Sequence, residues 1–498
     1  MNRVARDFRG VSQPVGAVVL GLGVAIAICG TVGWLFDLFD PTVEPGHESG
    51  AIDLAFAAGL SFIIGLILLA YGRRHDSEVV KRREAVLAVG LIWVVASIIG
   101  AVPFMLGADM SFPDAIFESV SGLTTTGATV ITDIEGSISR PLLLWRSLIQ
   151  WLGGMGIVVL FVAVFPNIRA GGKQMFGEEV PGTTSEGLRP RIAETSQLLW
   201  RFYLFFTMIQ VFVLSFLGMS WFDSICHSMT TMSTGGFSTR DASVAAFDSP
   251  GIDVALSFFM ILASVNYGIF YAGIKGKTLK VFTRNTELMT FLALVSVTTL
   301  ILTAGLFELH DRNVFQSARY ALFMVATTIS STGFGTDDYT AYSPAMLSVV
   351  LFLMFVGGCA GSTAGGIKVE RVIIMARMTY AEIKRSYRPN LVQIVRMGQK
   401  KVPQSALTDA LVFFILYMSM MGGGVFAICL LEGASVPTAF GAVLTSLSNM
   451  GPAPFHEGAD NFASYGGTAK IIFAFLMLFG RLEFFALLSL FAPGFWRQ

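Results

Sequence analysis

An all-α polytopic membrane protein is the fold class this sequence predicts, and three observations carry the prediction. Of 498 residues, 54% are hydrophobic and only 14% charged, where a soluble domain carries about 25% charged residues. Uncharged apolar runs recur down the chain at the length of about 20 residues that crosses a bilayer. One polar, glycine-containing motif returns four times between those runs, as an internal structural repeat does. Together they predict four tandem units of span, re-entrant segment and span around a pseudo-fourfold pore, with an N-terminal helix pair outside the repeat.

The apolar runs, in order, are 10–36, 54–72, 85–108, 147–168, 202–222, 254–274, 288–307, 339–367 and 410–431, and a tenth, 471–491, is broken only by Arg481 and Glu483. The first follows Arg3, Arg6 and Arg9 but exceeds the apolar stretch of a cleaved leader, so it counts as a span. Residues 320–336 and 433–456 are also uncharged. The former ends in Ser330-Ser331-Thr332-Gly333 and the latter contains Pro437, Pro452 and Pro454, so neither reads as a continuous lipid-facing helix. Ten spans result. Lysine and arginine cluster before span one and after spans two, four, six and eight, which puts those segments and both termini in the cytoplasm. The organisation expected is an N-terminal pair at 1–80 and pore repeats at 81–193, 194–284, 285–401 and 402–498.

Lys+Arg 34 balances Asp+Glu 34, so no basic excess points to nucleic acid. Cys29, Cys226, Cys359 and Cys429 lie far apart in apolar surroundings and read as small hydrophobes. An enzyme is disfavoured. The five histidines show no His-x-x-x-His metal spacing, and no Gly-x-Ser-x-Gly nucleophile elbow occurs.

The four motif copies read Ser121-Gly122-Leu123-Thr124-Thr125-Thr126-Gly127, Thr230-Thr231-Met232-Ser233-Thr234-Gly235-Gly236, Thr327-Thr328-Ile329-Ser330-Ser331-Thr332-Gly333 and Thr445-Ser446-Leu447-Ser448-Asn449-Met450-Gly451. Each runs small, small, apolar, polar, two variable positions and glycine. Asp114 and Asp223 both stand thirteen residues before their glycine, so the first two copies align without a gap. About ten residues of helical composition precede each copy, enough at 1.5 Å per residue to reach about halfway into a bilayer. Non-helical backbone at that depth is tolerated where it lines a filled cavity, so four such loops predict one axial pore. Rings of inward-facing carbonyl oxygens replace the hydration shell of a weakly hydrated cation, which is the chemistry of a potassium filter. The acidic residues Asp133, Glu135, Asp241, Asp337 and Asp338 stand just beyond the loops and either attract cations to the mouth or merely solvate it.

On these loops the sequence resembles the TrkH/KtrB/HKT superfamily of potassium transporters, and within it the bacterial TrkH type, which has the additional N-terminal pair. The resemblance spans the whole chain. It implies a potassium filter at Thr125, Thr126, Gly127, Thr234, Gly235, Gly236, Ser331, Thr332, Gly333, Asn449, Met450 and Gly451, with K+ as the transported ion held by backbone carbonyls. Plant members with serine at the first filter glycine prefer sodium. Glycine at Gly127 therefore favours potassium. The departures from a symmetric channel are Ala128 and Pro452, where the other two loops carry Phe237 and Phe334. The resemblance further implies a homodimer in the bacterial inner membrane, controlled by a cytoplasmic TrkA-like nucleotide-binding ring. Coupled symport with protons or sodium, or a less selective pathway, remains open from the motifs.

Span eight carries Gly357, Gly358, Gly361, Ser362, Thr363, Gly365 and Gly366, too many glycines for a regular helix at about 1 kcal/mol each relative to alanine. The family likeness makes this segment an intramembrane gate. Close helix packing through Gly357, Gly361 and Gly365 is the alternative. A phosphate loop is excluded because Ile367 stands where lysine must follow. Arg481 in span ten costs at least about 2.5–3.5 kcal/mol at mid-membrane and must face water or partners. The family puts such an arginine beneath the filter; a buried pair with Glu483 or Glu118 is the alternative. The basic stretch 381–401 either docks the regulatory ring or obeys the positive-inside rule.

Overall fold

In the computed structural model the described residues are 3–39, 49–72, 82–156, 192–276, 280–309, 313–388, 394–398, 400–455, 461–482, 484–493 and 495. Apolar residues without β-strand alternation dominate these segments, and nearly all of them are helical. Helix α1 (Arg3–Leu38) forms a hairpin with α2 (Ser49–Gly72) and also packs on α3 (Arg82–Gly107). Glycines set the closeness of the pair. A β-carbon on Gly16 would stand 2.9 Å from the Gly65 carbonyl oxygen, and one on Gly23 would stand 3.1 Å from Ser61 Cβ.

The chain then alternates long helices with short buried ones. The first unit is α3, α4 (Phe112–Leu123), the single-turn α5 (Ile134–Ser137) and α6 (Arg140–Gly154). The second is α7 (Ile192–Phe216), α8 (Trp221–Met232), α9 (Pro250–Ala263) and α10 (Tyr267–Gly276). After α11 (Lys280–Arg284) come α12 (Thr286–Leu309), α13 (Val314–Ile329), α14 (Pro344–Val356) and α15 (Val369–Tyr387). A two-residue antiparallel pair, β1 (Arg396–Met397) with β2 (Lys400–Lys401), departs from an all-α chain. The last unit is α16 (Gln404–Glu432), α17 (Val436–Ser448), α18 (Gly467–Arg481) and α19 (Phe485–Phe491). Helices α4, α8, α13 and α17 have 12, 12, 16 and 13 residues. At 1.5 Å per residue they reach about 18–24 Å, short of the roughly 30 Å hydrocarbon core.

Among the described residues, six helices are long and apolar enough to cross a membrane: α1, α2, α3, α7, α12 and α16. Their outward faces carry exposed Phe56, Leu300, Phe426 and Leu430, a surface suited to lipid. The seventh candidate is not the single helix expected over 254–274. Helices α9 and α10 meet at an 80° bend. Ser264 ends α9, and Asn266 Oδ1 accepts from Gly268 N at 2.8 Å to start α10, so a side-chain cap cuts an otherwise apolar run. The expected span 339–367 is likewise α-helical only over Pro344–Val356, after a 3-10 turn at Tyr339–Ala341, and its glycines end the helix from Gly357 on. The expected span 471–491 breaks after Arg481, with Phe484 at φ 64° before α19. Helix α6 starts at Arg140, before the expected start of span four at 147, and so brings Arg146 inside the protein; residues 157–168 of that span lie outside the described residues.

The N-terminal pair packs on α3 and α6, and one of its closest approaches is at Gly33. A β-carbon on Gly33 of α1 would overlap the Pro141 Cα of α6. Gly33→Leu is therefore expected to wedge the pair off α6 at a cost of about 1–3 kcal/mol, seen as a lowered melting temperature of the detergent-solubilised protein.

Candidate ion pathway

Each motif copy leaves the C-terminal end of a short buried helix and turns by the same backbone device. Thr125, Thr234, Ser331 and Asn449, each two residues before the motif glycine, have φ of 55°, 56°, 57° and 52°. Left-handed backbone costs a residue other than glycine about 1–2 kcal/mol, so its recurrence at one position of four separate segments is imposed by a common geometry. The next amide closes each turn. Thr126 N donates to Ser121 O at 2.9 Å, Gly235 N to Thr230 O at 2.8 Å, Thr332 N to Thr327 O at 2.9 Å and Met450 N to Thr445 O at 3.0 Å. Gly127, Gly236 and Gly333 follow at φ 82°, 76° and 87°, whereas Gly451, beside Pro452, does not share this torsion.

The four turns touch in a closed order. A β-carbon on Gly127 would overlap Gly235 O, and one on Gly236 would overlap Thr332 O. One on Gly333 would stand 2.9 Å from Gly451 N, and one on Gly451 would stand 2.8 Å from Gly127 O. First copy meets second, second meets third, third meets fourth and fourth meets first. The short helices all end at this ring, so the negative ends of their dipoles are directed toward it.

Buried side chains hold the loops from behind. Arg146, 2% exposed, donates from Nε to Glu118 Oε1 at 2.7 Å and from Nη1 to Ser238 O at 2.8 Å. Its guanidinium carbon lies 3.7 Å from the Phe237 ring centroid. Glu118 also accepts from Thr129 Oγ1 at 3.0 Å and Val130 N at 3.1 Å. His227 donates from Nδ1 to Asp223 O at 2.9 Å, which leaves Nε2 to accept from Ser238 Oγ at 3.0 Å. Asn449 Nδ2 donates to Thr126 Oγ1 at 3.0 Å and Met477 O at 2.9 Å, tying the fourth loop to the first.

At the outer rim, acidic groups fasten neighbouring copies together. Asp241 Oδ1 of the second copy accepts from Ile134 N of the first at 2.6 Å, while Asp133 Oδ1 caps α5 within its own copy by accepting from Gly136 N at 2.8 Å. Arg240 bridges Glu135 at 3.1 Å and Asp223 at 2.9 Å, and Lys470 Nζ reaches Asp114 Oδ1 at 2.6 Å. Burial raises the Asp223 carboxyl, but hydrogen bonds from Thr239, Arg240 and Ser220 and the Arg240 charge outweigh it and hold the group below the usual carboxylate range. The stability this tie contributes is full above the ordinary carboxylate pKa and is lost as pH falls through the depressed one.

Beneath the ring lies the glycine-rich segment. Gly357, Gly361 and Gly366 have φ of 70°, 72° and 79°. Thr363 Oγ1 lies 3.1 Å from Met232 O and 3.2 Å from Ala263 O, Gly365 N donates to Ser331 Oγ at 2.7 Å, and a β-carbon on Gly365 would overlap Ser448 O. It thus meets the ends of α8, α13 and α17. Ser362 Oγ donates to Cys359 O at 2.6 Å, and the bend at Ser264 receives Cys359 N at 3.0 Å. Buried Glu287 accepts from Ala360 N at 2.6 Å. Arg481 donates from Nη1 to Thr363 O at 2.7 Å and from Nη2 to Gly153 O and Gly154 O at 2.8 and 2.7 Å.

The profile of the TrkH family, described as "Cation transport protein", matches residues 54–497. The chain belongs to the TrkH family. It is 38% identical over 499 residues to the Trk system potassium uptake protein TrkH of Salmonella typhimurium, covering 99% of this chain and 100% of that one. Its identity to the protein of the same name from Escherichia coli K12 is 37%, with the same coverage. The crystal structure of the potassium transporter TrkH from Vibrio parahaemolyticus matches with a TM-score of 0.87 and 31% identity, covering 98% of this chain and 100% of that chain. TrkH-family chains are transporters and not enzymes.

In this TrkH-family chain all twelve loop residues expected from sequence come together, and the glycine-rich segment packs directly against them. Arg481 does not pair with Glu118, whose partner is Arg146; Glu483 lies outside the described residues. Glu135 and Asp241 serve as ties between copies, Asp133 caps α5 within its own copy, and Asp337 Oδ2 lies 3.4 Å from the Tyr342 hydroxyl. Arg146 and Gln150 were not singled out by sequence. Their signal was present: two polar side chains four residues apart in the stretch 141–152, otherwise apolar but for Ser147, and both must find partners if buried.

Proposed function

We propose that this chain takes up potassium across a bacterial inner membrane through a filter made by the four glycine loops. The observation that carries the reading is the common left-handed turn in four segments whose glycines and carbonyls touch in a closed order. A ring of backbone oxygens at the negative ends of short helices is what a weakly hydrated cation requires. Relatives covering nearly the whole chain carry the name potassium uptake protein. Glycine at Gly127 favours potassium over sodium. In this reading the chain has 10 spans with both termini cytoplasmic, an N-terminal pair at 1–80 and four pore repeats at 81–193, 194–284, 285–401 and 402–498.

The segment from Gly357 to Gly366 is the gate, and Arg481 is its tie beneath the filter. The protein works as a homodimer, and a cytoplasmic TrkA-like ring acts on the gate through the basic stretch 381–401, which begins within helix α15, the helix that starts directly after the gate. The test is potassium and sodium uptake by the purified protein in liposomes, for wild type and Gly127→Ser. Potassium-selective uptake that the substitution degrades at least about tenfold supports the filter. Absence of cation flux, even with the regulatory subunit, overturns it. Uptake that needs an imposed proton or sodium gradient instead establishes symport.

A further inference from the structure

The second loop is built differently from the first and third, and the difference points to an unassigned residue. Thr126 Oγ1 turns back to Thr124 Oγ1 at 2.7 Å, and Thr332 Oγ1 to Ser330 Oγ at 2.6 Å, so each loop ties its own shoulder to the end of its own helix. Gly235 occupies the matching place in the second loop and has no side chain to do so. The corresponding hydroxyl, Ser233 Oγ, keeps the bond to Thr230 O at 3.1 Å that Ser330 Oγ makes to Thr327 O at 3.2 Å, without the threonine partner that Ser330 has. In the fourth loop Met450 is buried and Ser448 Oγ meets the Tyr417 hydroxyl at 2.8 Å.

A side chain from another helix fills the space at Gly235. A β-carbon there would overlap Gln150 Cδ. Gln150, fully buried on α6, donates from Nε2 to Gly235 O at 2.8 Å and accepts at Oε1 from Phe237 N at 3.1 Å. Both ends of one carboxamide are thus spent on the backbone either side of Gly236. The oxygen it holds is the one that a β-carbon on Gly127 would overlap, so it lies at the contact between the first and second loops.

We propose that Gln150 is a selectivity-positioning residue: its carboxamide replaces the missing threonine side chain, fixes the Gly235–Gly236 peptide and weakens the pull of Gly235 O on a cation. A carbonyl that already accepts a hydrogen bond presents a lower field to an ion. Lower field favours the weakly hydrated potassium over sodium, one of the two accounts of carbonyl selectivity. The proposal rests on the reading of the four loops as the filter.

The experiment measures potassium, rubidium and sodium uptake in liposomes for wild type, Gln150→Leu, Gly127→Ser and the double variant Gln150→Ala/Gly235→Thr. Gln150→Leu is expected to lower the potassium-to-sodium ratio by about fivefold or more, with potassium flux retained. The double variant restores a threonine beside Ser233 but no donor to the residue-235 carbonyl, so it is expected to keep potassium flux without regaining the ratio; a fully regained ratio overturns the field account. If Gly127→Ser shifts the ratio and Gln150→Leu leaves it unchanged, the role of Gln150 is overturned and the filter stands. If neither shifts it, the filter reading itself falls. A Gln150→Leu protein that does not fold is replaced by Gln150→Asn, one methylene shorter, for which an unchanged ratio is equally fatal to the proposal.

Discussion

Arg146→Ala is expected to be the most destabilising single substitution in the protein. It removes the partner of Glu118, a carboxylate with no exposure, and breaking a buried ion pair from one side costs about 3–5 kcal/mol. The loss reaches both of the first two loops. Glu118 holds the first through Thr129 and Val130, and Arg146 holds the second through Ser238 O and the Phe237 ring. The expected readout is a protein that melts early in detergent and loses potassium uptake. Arg146→Met with Glu118→Leu removes both charges and is expected to be more stable than Arg146→Ala alone, since no charge is left uncompensated. Arg146→Lys keeps the charge without the fork that spans Glu118 and Ser238, and recovers part of the stability. Equal melting temperatures for wild type and Arg146→Ala overturn this account.

The same pair marks the boundary of what could be read from the sequence. The loops were legible because four hydroxyl- and glycine-rich segments in register are a pattern that chance seldom produces. The short helices before them were legible from helical composition, and their length from being too short to cross. Hydropathy placed the start of the fourth run at 147 to keep Arg146 outside, because an apolar average penalises a charge without knowing its partner. Glu118 is 28 residues earlier on another helix, and only the fold brings the two within 2.7 Å. The bend after Ser264 was missed for a related reason. Asn266 costs little in a hydropathy window, yet its side chain caps the next helix and ends the first. Gly235 was legible as a position of the repeated motif but not as the space into which Gln150 inserts, since a missing side chain does not reveal what replaces it.

Arg481→Ala is expected to raise potassium flux about tenfold or more in the absence of a regulatory subunit. The guanidinium donates to three backbone oxygens, Thr363 O on the glycine-rich segment and Gly153 O and Gly154 O at the end of α6. Hydrogen bonds from a charged donor are worth about 1.5–3 kcal/mol each, so together they can hold the segment against the ends of α8, α13 and α17. A second cause gives the same sign if the four loops are the proposed filter, because a positive charge beneath it repels the cation it passes. Arg481→Lys separates the two. Lysine keeps the charge but, as a single ammonium on a flexible stem, cannot span Thr363 and α6 with the same fixed fork. If the tie keeps the pathway shut, lysine behaves like alanine; if repulsion does, lysine behaves like arginine. Flux through Arg481→Gln completes the argument, since glutamine has no charge and two donors, enough to keep Thr363 but not all three oxygens. Unchanged flux in all three variants removes Arg481 from the gate.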